Sequence, residues 1–220
     1  MFAVIFEVRP KAERRNEYLE AARELKPELE RIDGFVHNER FAARSNEGLI
    51  LSFSTWRDEK ALIRWRTLAQ HHLAQERGRF EIFADYRLRV GEIVEDSAAA
   101  ARDGLRGERF DETVAGDAHA AAIEEITPSD GDAPAQALSG ALPDRGANLV
   151  AGEIYDSIYT PGKALTVTWW RDLRAASAHC AQRRLLGNDG ARVRCRTVRI
   201  IRDYGMFDRR EAPQYYADVR

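Results

Sequence analysis

The sequence predicts an α+β protein built from two ferredoxin-like β-α-β-β-α-β units that pack sheet to sheet within one chain. Three observations predict it. The chain contains the same unit twice, each copy reads in that order of elements, and one sheet face of each unit has no helix to cover it. The repeat is visible directly. Phe6-Glu7-Val8-Arg9-Pro10 is echoed by Glu124-Glu125-Ile126-Thr127-Pro128. Leu51-Ser52-Phe53-Ser54-Thr55-Trp56-Arg57-Asp58 is echoed by Leu165-Thr166-Val167-Thr168-Trp169-Trp170-Arg171-Asp172. Trp56 and Trp170 lie 114 residues apart, and Pro10 and Pro128 lie 118 apart. A sheet with helices on one face must bury the other, and a twin sheet does so.

The first copy opens on Phe2–Val8, an alternating run rich in Val, Ile and Phe that reads as a strand. Pro10 ends it. Tyr18, Leu19, Ala22, Leu25 and Leu29 then recur at helical spacing across 11–30, with Pro27 predicting a kink or late break. After the Asp33-Gly34 turn, 35–43 reads as a second strand, 44–48 as a hairpin loop and 49–55 as a third strand. A second helix is predicted from Arg57 to about Gln75, with Gly78 as its stop signal. Phe80–Val94 reads as a fourth strand, long enough to reach a partner. The order is β-α-β-β-α-β.

Residues 1–96 are therefore the first repeat and 97–117, alanine-rich and then polar, a linker with a short helix at 97–102. The second repeat spans 118–207. Its strands are expected at 118–127, 150–158, 164–170 and 193–204, with helices at 133–142 and 173–186. The first of these helices is interrupted by Gly140 and followed by Pro143, so this copy reads as degenerate. Residues 208–220 form a polar tail.

The 220 residues carry a net charge of −2, with 44% hydrophobic and 32% charged residues, as in an ordinary globular protein. No basic excess points to nucleic acid or an anionic membrane. No apolar run approaches the roughly 20 residues of a membrane span. The N-terminus goes straight into a strand-like run without a basic region and a cleavage site, so no signal peptide is expected. With two cysteines, Cys180 and Cys195, reduced thiols and a cytoplasmic location are expected.

Several short motifs together resemble the antibiotic biosynthesis monooxygenase (ABM) domains of the dimeric α/β-barrel superfamily. They are Asp33-Gly34-Phe35 before strand two, Thr55-Trp56 at the end of strand three, Trp65, the run His71-His72-Leu73-Ala74-Gln75, and Gly78-Arg79 before a long last strand. The resemblance is good over 1–95 and reaches 118–207 mainly through the repeat. It implies two units closed into a barrel, each with a pocket between sheet and helices, in a tandem version of the family. It also implies oxygenation of phenolic or quinol-like substrates with O₂ and neither metal nor flavin. Other members of the family degrade haem, and many have no known activity. Fold alone does not decide between them. The haem-degrading pattern has an Asn on the first strand, a Trp on the second helix and a ligating His ten residues later. Here Trp65 fits, but the corresponding positions hold Glu7 and Gln75.

The candidate catalytic residues are His71, His72 and Glu7. The histidines point about 100° apart on a helix, so only one can face a given pocket. A neutral imidazole there can take a proton from a phenol or quinol and make it electron-rich enough for O₂. The competing reading is local packing or capping. Glu7, matched by Glu125, faces the barrel interior if Phe6 and Val8 face the helices. It is either a base with a raised pKa or half of an interior ion pair with Arg40 or Arg87. Trp65, Phe53 and Phe83 are the candidate substrate-binding residues, with Trp65 the flat pocket wall. The repeat aligns His179 with Trp65, and its pairing with Cys180 lacks metal-ligand spacing. Phosphate loops, dinucleotide fingerprints and HExxH are absent.

The sequence thus predicts a cofactor-independent monooxygenase acting on a small aromatic, quinol or polyketide-like substrate, with no metal and no cofactor. Its site lies in the first repeat, and two such chains could pair into a homodimer. The alternative is a non-catalytic small-ligand-binding or stress-related barrel.

Overall fold

The computed structural model describes residues 1–98, 116–128, 142–143, 146–186, 191–210 and 212–213. In the first half these form β1 (Phe2–Pro10), α1 (Arg15–Glu24), α2 (Lys26–Glu30), β2 (Phe35–Ala43), β3 (Ile50–Trp56), α3 (Glu59–Thr67), α4 (Ala69–Arg77) and β4 (Phe83–Asp96). In the second they form β5 (Ala120–Pro128), β6 (Leu149–Ser157), β7 (Ala164–Trp170), α5 (Leu173–Leu186) and β8 (Ala191–Gly205). The helix expected at 133–142 and most of that expected at 97–102 lie outside the described residues.

The eight strands close into one barrel in the order β1-β3-β2-β6-β7-β5-β8-β4. Two seams join the halves. The long one pairs β4 with β8, from Arg87 opposite Gly205 to Asp96 opposite Arg196. The short one pairs β2 with β6 at Phe41–Ala43 and Tyr155–Ser157. The extra length of β4 and β8 is thus used on the other half. Closure removes the open strand edges that two separate sheets would expose.

The duplication persists at the level of single hydrogen bonds. Trp56 Nε1 donates to Ser54 Oγ at 3.0 Å, and Trp170 Nε1 to Thr168 Oγ1 at 2.9 Å. Asp58 accepts from Ala61 N at 2.8 Å and Asp172 from Ala175 N at 2.7 Å, each capping the helix after the tryptophan. Register shifts fall at equivalent points, Phe35/His37 and Leu149/Ala151.

Interior-facing residues of all eight strands fill the barrel. Phe41, Phe53, Ile123, Tyr155, Leu165 and Trp169 are its largest apolar members, each at most 3% exposed. A barrel of this size leaves room for side chains and little else. Gly91 sits where β4 and β8 come closest. A β-carbon there would lie 2.4 Å from Val198 Cγ1 and 2.6 Å from the Arg199 carbonyl oxygen. The carbonyl belongs to the backbone and cannot swing aside. Gly91→Ala is expected to lower stability by about 1–3 kcal/mol, read as a drop in urea midpoint with unchanged slope.

The break expected at Pro27 falls at Leu25, two residues ahead of it, and Pro27 sits in the first turn of α2 as a proline can. Two elements differ from the sequence expectation. The second helix breaks at Leu68, whose extended backbone (φ −62°, ψ 128°) separates α3 from α4. Residues 78–82 form a wide π-type turn rather than the start of β4.

Candidate active site

Both helix breaks lie over the outer face of the first sheet, and a cavity of about 230 Å³ occupies the space beneath them. Val4 and Phe6 of β1 and Ser52 and Ser54 of β3 supply part of its floor, with Asn38 and Arg40 from β2. Trp65 at the end of α3 and His71 and Gln75 on α4 form one wall. Phe83 and Tyr86 form another, and Arg209 and Pro213 reach it from the C-terminal segment. In the second half Ala120 and Ala122 stand at the positions of Phe2 and Val4. Ala176 and Cys180 of α5 pack directly on them.

The His71 ring stacks on Trp65, with centroids 4.1 Å apart and planes 17° from parallel. Its Nδ1 lies 2.9 Å from the Trp65 carbonyl oxygen. That oxygen can only accept, and it is met by the tautomer with the proton on Nδ1, which leaves the lone pair on Nε2. Gln75 Nε2 lies 3.0 Å from the same Nδ1 and, as a donor, is met by the other tautomer; the shorter contact to the carbonyl favours the first. Burial is the main influence on the ring and pushes its pKa down to about 4. The Trp65 carbonyl opposes this, and the charges of His72 and Arg40 add to it. His71 is therefore a neutral imidazole across the physiological range.

The polar floor is tied together. Asn38 Nδ2 donates to Ser52 Oγ at 3.0 Å and to the Phe53 carbonyl at 3.2 Å. Arg40 Nη1 donates to Asn38 Oδ1 at 3.1 Å, and Arg40 Nε to the Tyr18 hydroxyl at 3.4 Å. At the C-terminal side the Tyr86 hydroxyl accepts from Arg209 Nη1 at 2.6 Å.

The structure brings Trp65, His71 and Phe83 to this one cavity. It does not bring Glu7, Phe53 or His72 there. His72 is exposed, next to His71 but on another face of α4. Phe53 points into the barrel because its neighbours Ser52 and Ser54 take the cavity side. Glu7 also points into the barrel. Its Oε2 accepts from Arg89 Nη1 at 2.7 Å and its Oε1 from the Tyr155 hydroxyl at 2.7 Å. The expected partners Arg40 and Arg87 are corrected accordingly. Arg40 faces the cavity on the other side of the sheet, and Arg87 is held by Asp203 at 2.6 Å. Sequence reasoning missed Asn38 and Arg40 as cavity residues. The repeat held a signal, since the strand register aligns them with Gly152 and Ile154.

Cys180 and Cys195 are both buried free thiols. Three arginines of β8 pair with acids of β4, Arg194 and Arg196 with Asp96 and Arg199 with Glu92.

A fused pair of ferredoxin-like units, closed into a filled barrel with a small apolar cavity under the helices of the first unit, defines the class: a tandem α/β-barrel protein. The comparisons with known proteins narrow it. Residues 1–77 match the antibiotic biosynthesis monooxygenase family. The chain is 38% identical over 224 residues to the jasmonate monooxygenase ABM of Pyricularia oryzae, covering 98% of each. This chain belongs to the antibiotic biosynthesis monooxygenase family. Among solved structures it is similar in fold to an aldoxime dehydratase in complex with butyraldoxime, at 14% identity and a TM-score of 0.55. That match covers 91% of this chain and 79% of the other. A second aldoxime dehydratase structure gives the same score and identity over 90% and 80%.

Proposed function

We propose that the chain is a cofactor-independent monooxygenase whose substrate lies between the Trp65–His71 stack and Phe83. The observation that carries this reading is the neutral His71, stacked on Trp65 and fixed through Nδ1, at the wall of a largely apolar cavity. The volume lies below the roughly 300–1,000 Å³ of drug-sized sites, which suits a compact molecule of one or two rings. Aromatic, quinol and polyketide-like compounds meet that description. The relative's name makes jasmonate a further probe.

His71 Nε2 would accept a proton from an acidified C–H or O–H of the substrate, and the resulting anion would pass electrons to O₂. Oxidation of a ring CH₂ to C=O balances without an outside reductant. The carbon loses two hydrogens and gains one oxygen atom, and the other oxygen leaves as water. Replacement of C–H by C–OH would instead require two electrons from a reductant. The reading places the enzyme in the cytoplasm. Domain limits of 1–96 and 118–207 assign the chemistry to the first repeat, and a homodimer of two such chains is compatible with it.

The test is oxygen uptake by purified, chelator-treated protein with anthrone-type quinols and with jasmonate, with and without NADPH. Uptake without reductant, with one substrate oxygen labelled from ¹⁸O₂, is the expected result. Uptake that demands a reductant would overturn cofactor independence. Ligand binding with no uptake from any substrate would favour the non-catalytic barrel.

The low pKa of His71 predicts a pH profile. A base with the ordinary value near 6.5 loses activity as pH falls through it. His71 stays unprotonated down to about 4, so kcat/KM should stay level from about pH 8 to 5 and fall only below that. An acid limb near 6.5 would contradict this assignment.

A further inference from the structure

We propose that the cavity selects substrates bearing a carboxylate, and that Arg40 is the residue that recognises it. The proposal rests on the reading of the cavity as the substrate site. Among the described residues, four arginines line the cavity, Arg40, Arg66, Arg202 and Arg209, with one carboxylate, Glu59. Arg40 differs from the charged residues of the barrel interior. There, Arg89 pairs with Glu7 and Asp203, Arg196 with Asp96 and Glu125, and Lys163 with Glu39 and Glu125. The recorded contacts of the Arg40 side chain are with neutral groups: the Tyr18 and Tyr159 hydroxyls, the Asn38 amide oxygen and, at 5.7 Å, the face of the Tyr18 ring. Among the described residues no carboxylate lies within ion-pair distance of it.

Arg40 is half-buried, and a cation partly withdrawn from water without an anion is destabilising. A fold that needed only to be stable would place an apolar residue there, and the second half does so. The position aligned with Arg40 is Ile154, and the one aligned with Asn38 is Gly152. The cation is therefore confined to the half with the developed cavity, and the barrel itself does not require it.

The guanidinium fork matches a planar carboxylate in geometry and charge. A bound carboxylate would also offset the charge through which Arg40 resists protonation of His71. Substrate binding would thereby make His71 a better base. The ligand that fits is a compact amphipathic acid, its apolar body against Trp65 and Phe83 and its head at Arg40.

Calorimetric titration tests this without turnover. The probes are jasmonate and 1-naphthaleneacetate, each against its methyl ester, on the intact chain. Each acid is expected to bind about tenfold or more tightly than its ester, in line with a charge-assisted hydrogen bond. Rising salt should weaken the acids and leave the esters unchanged. Arg40→Gln should abolish the preference, and Arg40→Lys should keep part of it. If Arg40→Gln does not fold, the acid-to-ester ratio and its salt dependence in the unaltered protein still decide. Esters that equal or exceed their acids, or a preference that survives in Arg40→Gln, would overturn the proposal. So would binding of none of the four probes. Arg40-dependent acid binding without oxygen uptake would uphold it while the monooxygenase reading falls.

Discussion

His71→Ala should reduce kcat/KM for oxygen-dependent turnover by about 10²–10⁴-fold, the range for loss of a positioned general base. The loss should fall on kcat, because Trp65 and the apolar walls remain to bind substrate. His71→Gln tests the same point more narrowly. It restores a polar side chain but supplies no proton acceptor of imidazole basicity, so activity should stay low. His72→Ala, one residue away on an exposed face of α4, should leave turnover near its original value. Neither change removes a core residue, and stability should shift by little. If His72→Ala and His71→Ala lose activity equally, the base has been misassigned.

The second large effect is on stability. Glu125→Gln should destabilise the fold by about 3–5 kcal/mol, the range for breaking a buried ion pair from one side. Glu125 lies 2.7 Å from Lys163 Nζ and 2.8 Å from Arg196 Nη1 inside the barrel. Burial alone would raise its pKa, but Arg196 and Lys163 prevail and hold it down to about 2. For a chain of this length the expected fall in Tm is roughly 10 °C. The same pair gives a pH dependence. Between about 4.5 and 2 the unfolded chain binds more protons at this site than the folded one. Its contribution is present above that window and is lost as pH falls through it. Glu125→Gln should flatten the acid limb of the stability curve there. His71 acts in the same direction in a higher window, from about 6.5 to 4, since burial keeps it neutral when folded.

This interior network is duplicated like the fold. Glu7, Arg89, Asp203 and Arg87 form one cluster, and Glu125, Arg196, Asp96 and Arg194 form the other. Each cluster joins β4 to β8 across the long seam. Each desolvated charge has opposite charges within reach, which is the condition under which buried ions persist.

Much of this fold was legible because its signals are local. The limits of β2 and α5 follow from alternation and caps, and the repeat of Trp56-Arg57-Asp58 as Trp170-Arg171-Asp172 marks both halves at once. The break at Leu68 was not legible, since no glycine or proline marks it. The harder question was which sheet face holds a cavity. Both faces are covered here, one by helices and one by the other half, so alternation separates two sets of residues without ranking them. Phe53 and Glu7 fell in the set that fills the barrel. Ser52, Ser54, Asn38 and Arg40, polar and unremarkable in sequence, fell in the set that lines the cavity. His71 and His72 posed the same problem on a helix, and only the Trp65 contact resolves it.

The most direct measurement is a crystal structure of the protein with its best-turned-over substrate, trapped under anaerobic conditions. The account predicts density between the Trp65–His71 stack and Phe83, with the reacting carbon within hydrogen-bond reach of His71 Nε2. Density inside the barrel, or under α5 in the second half, would contradict it.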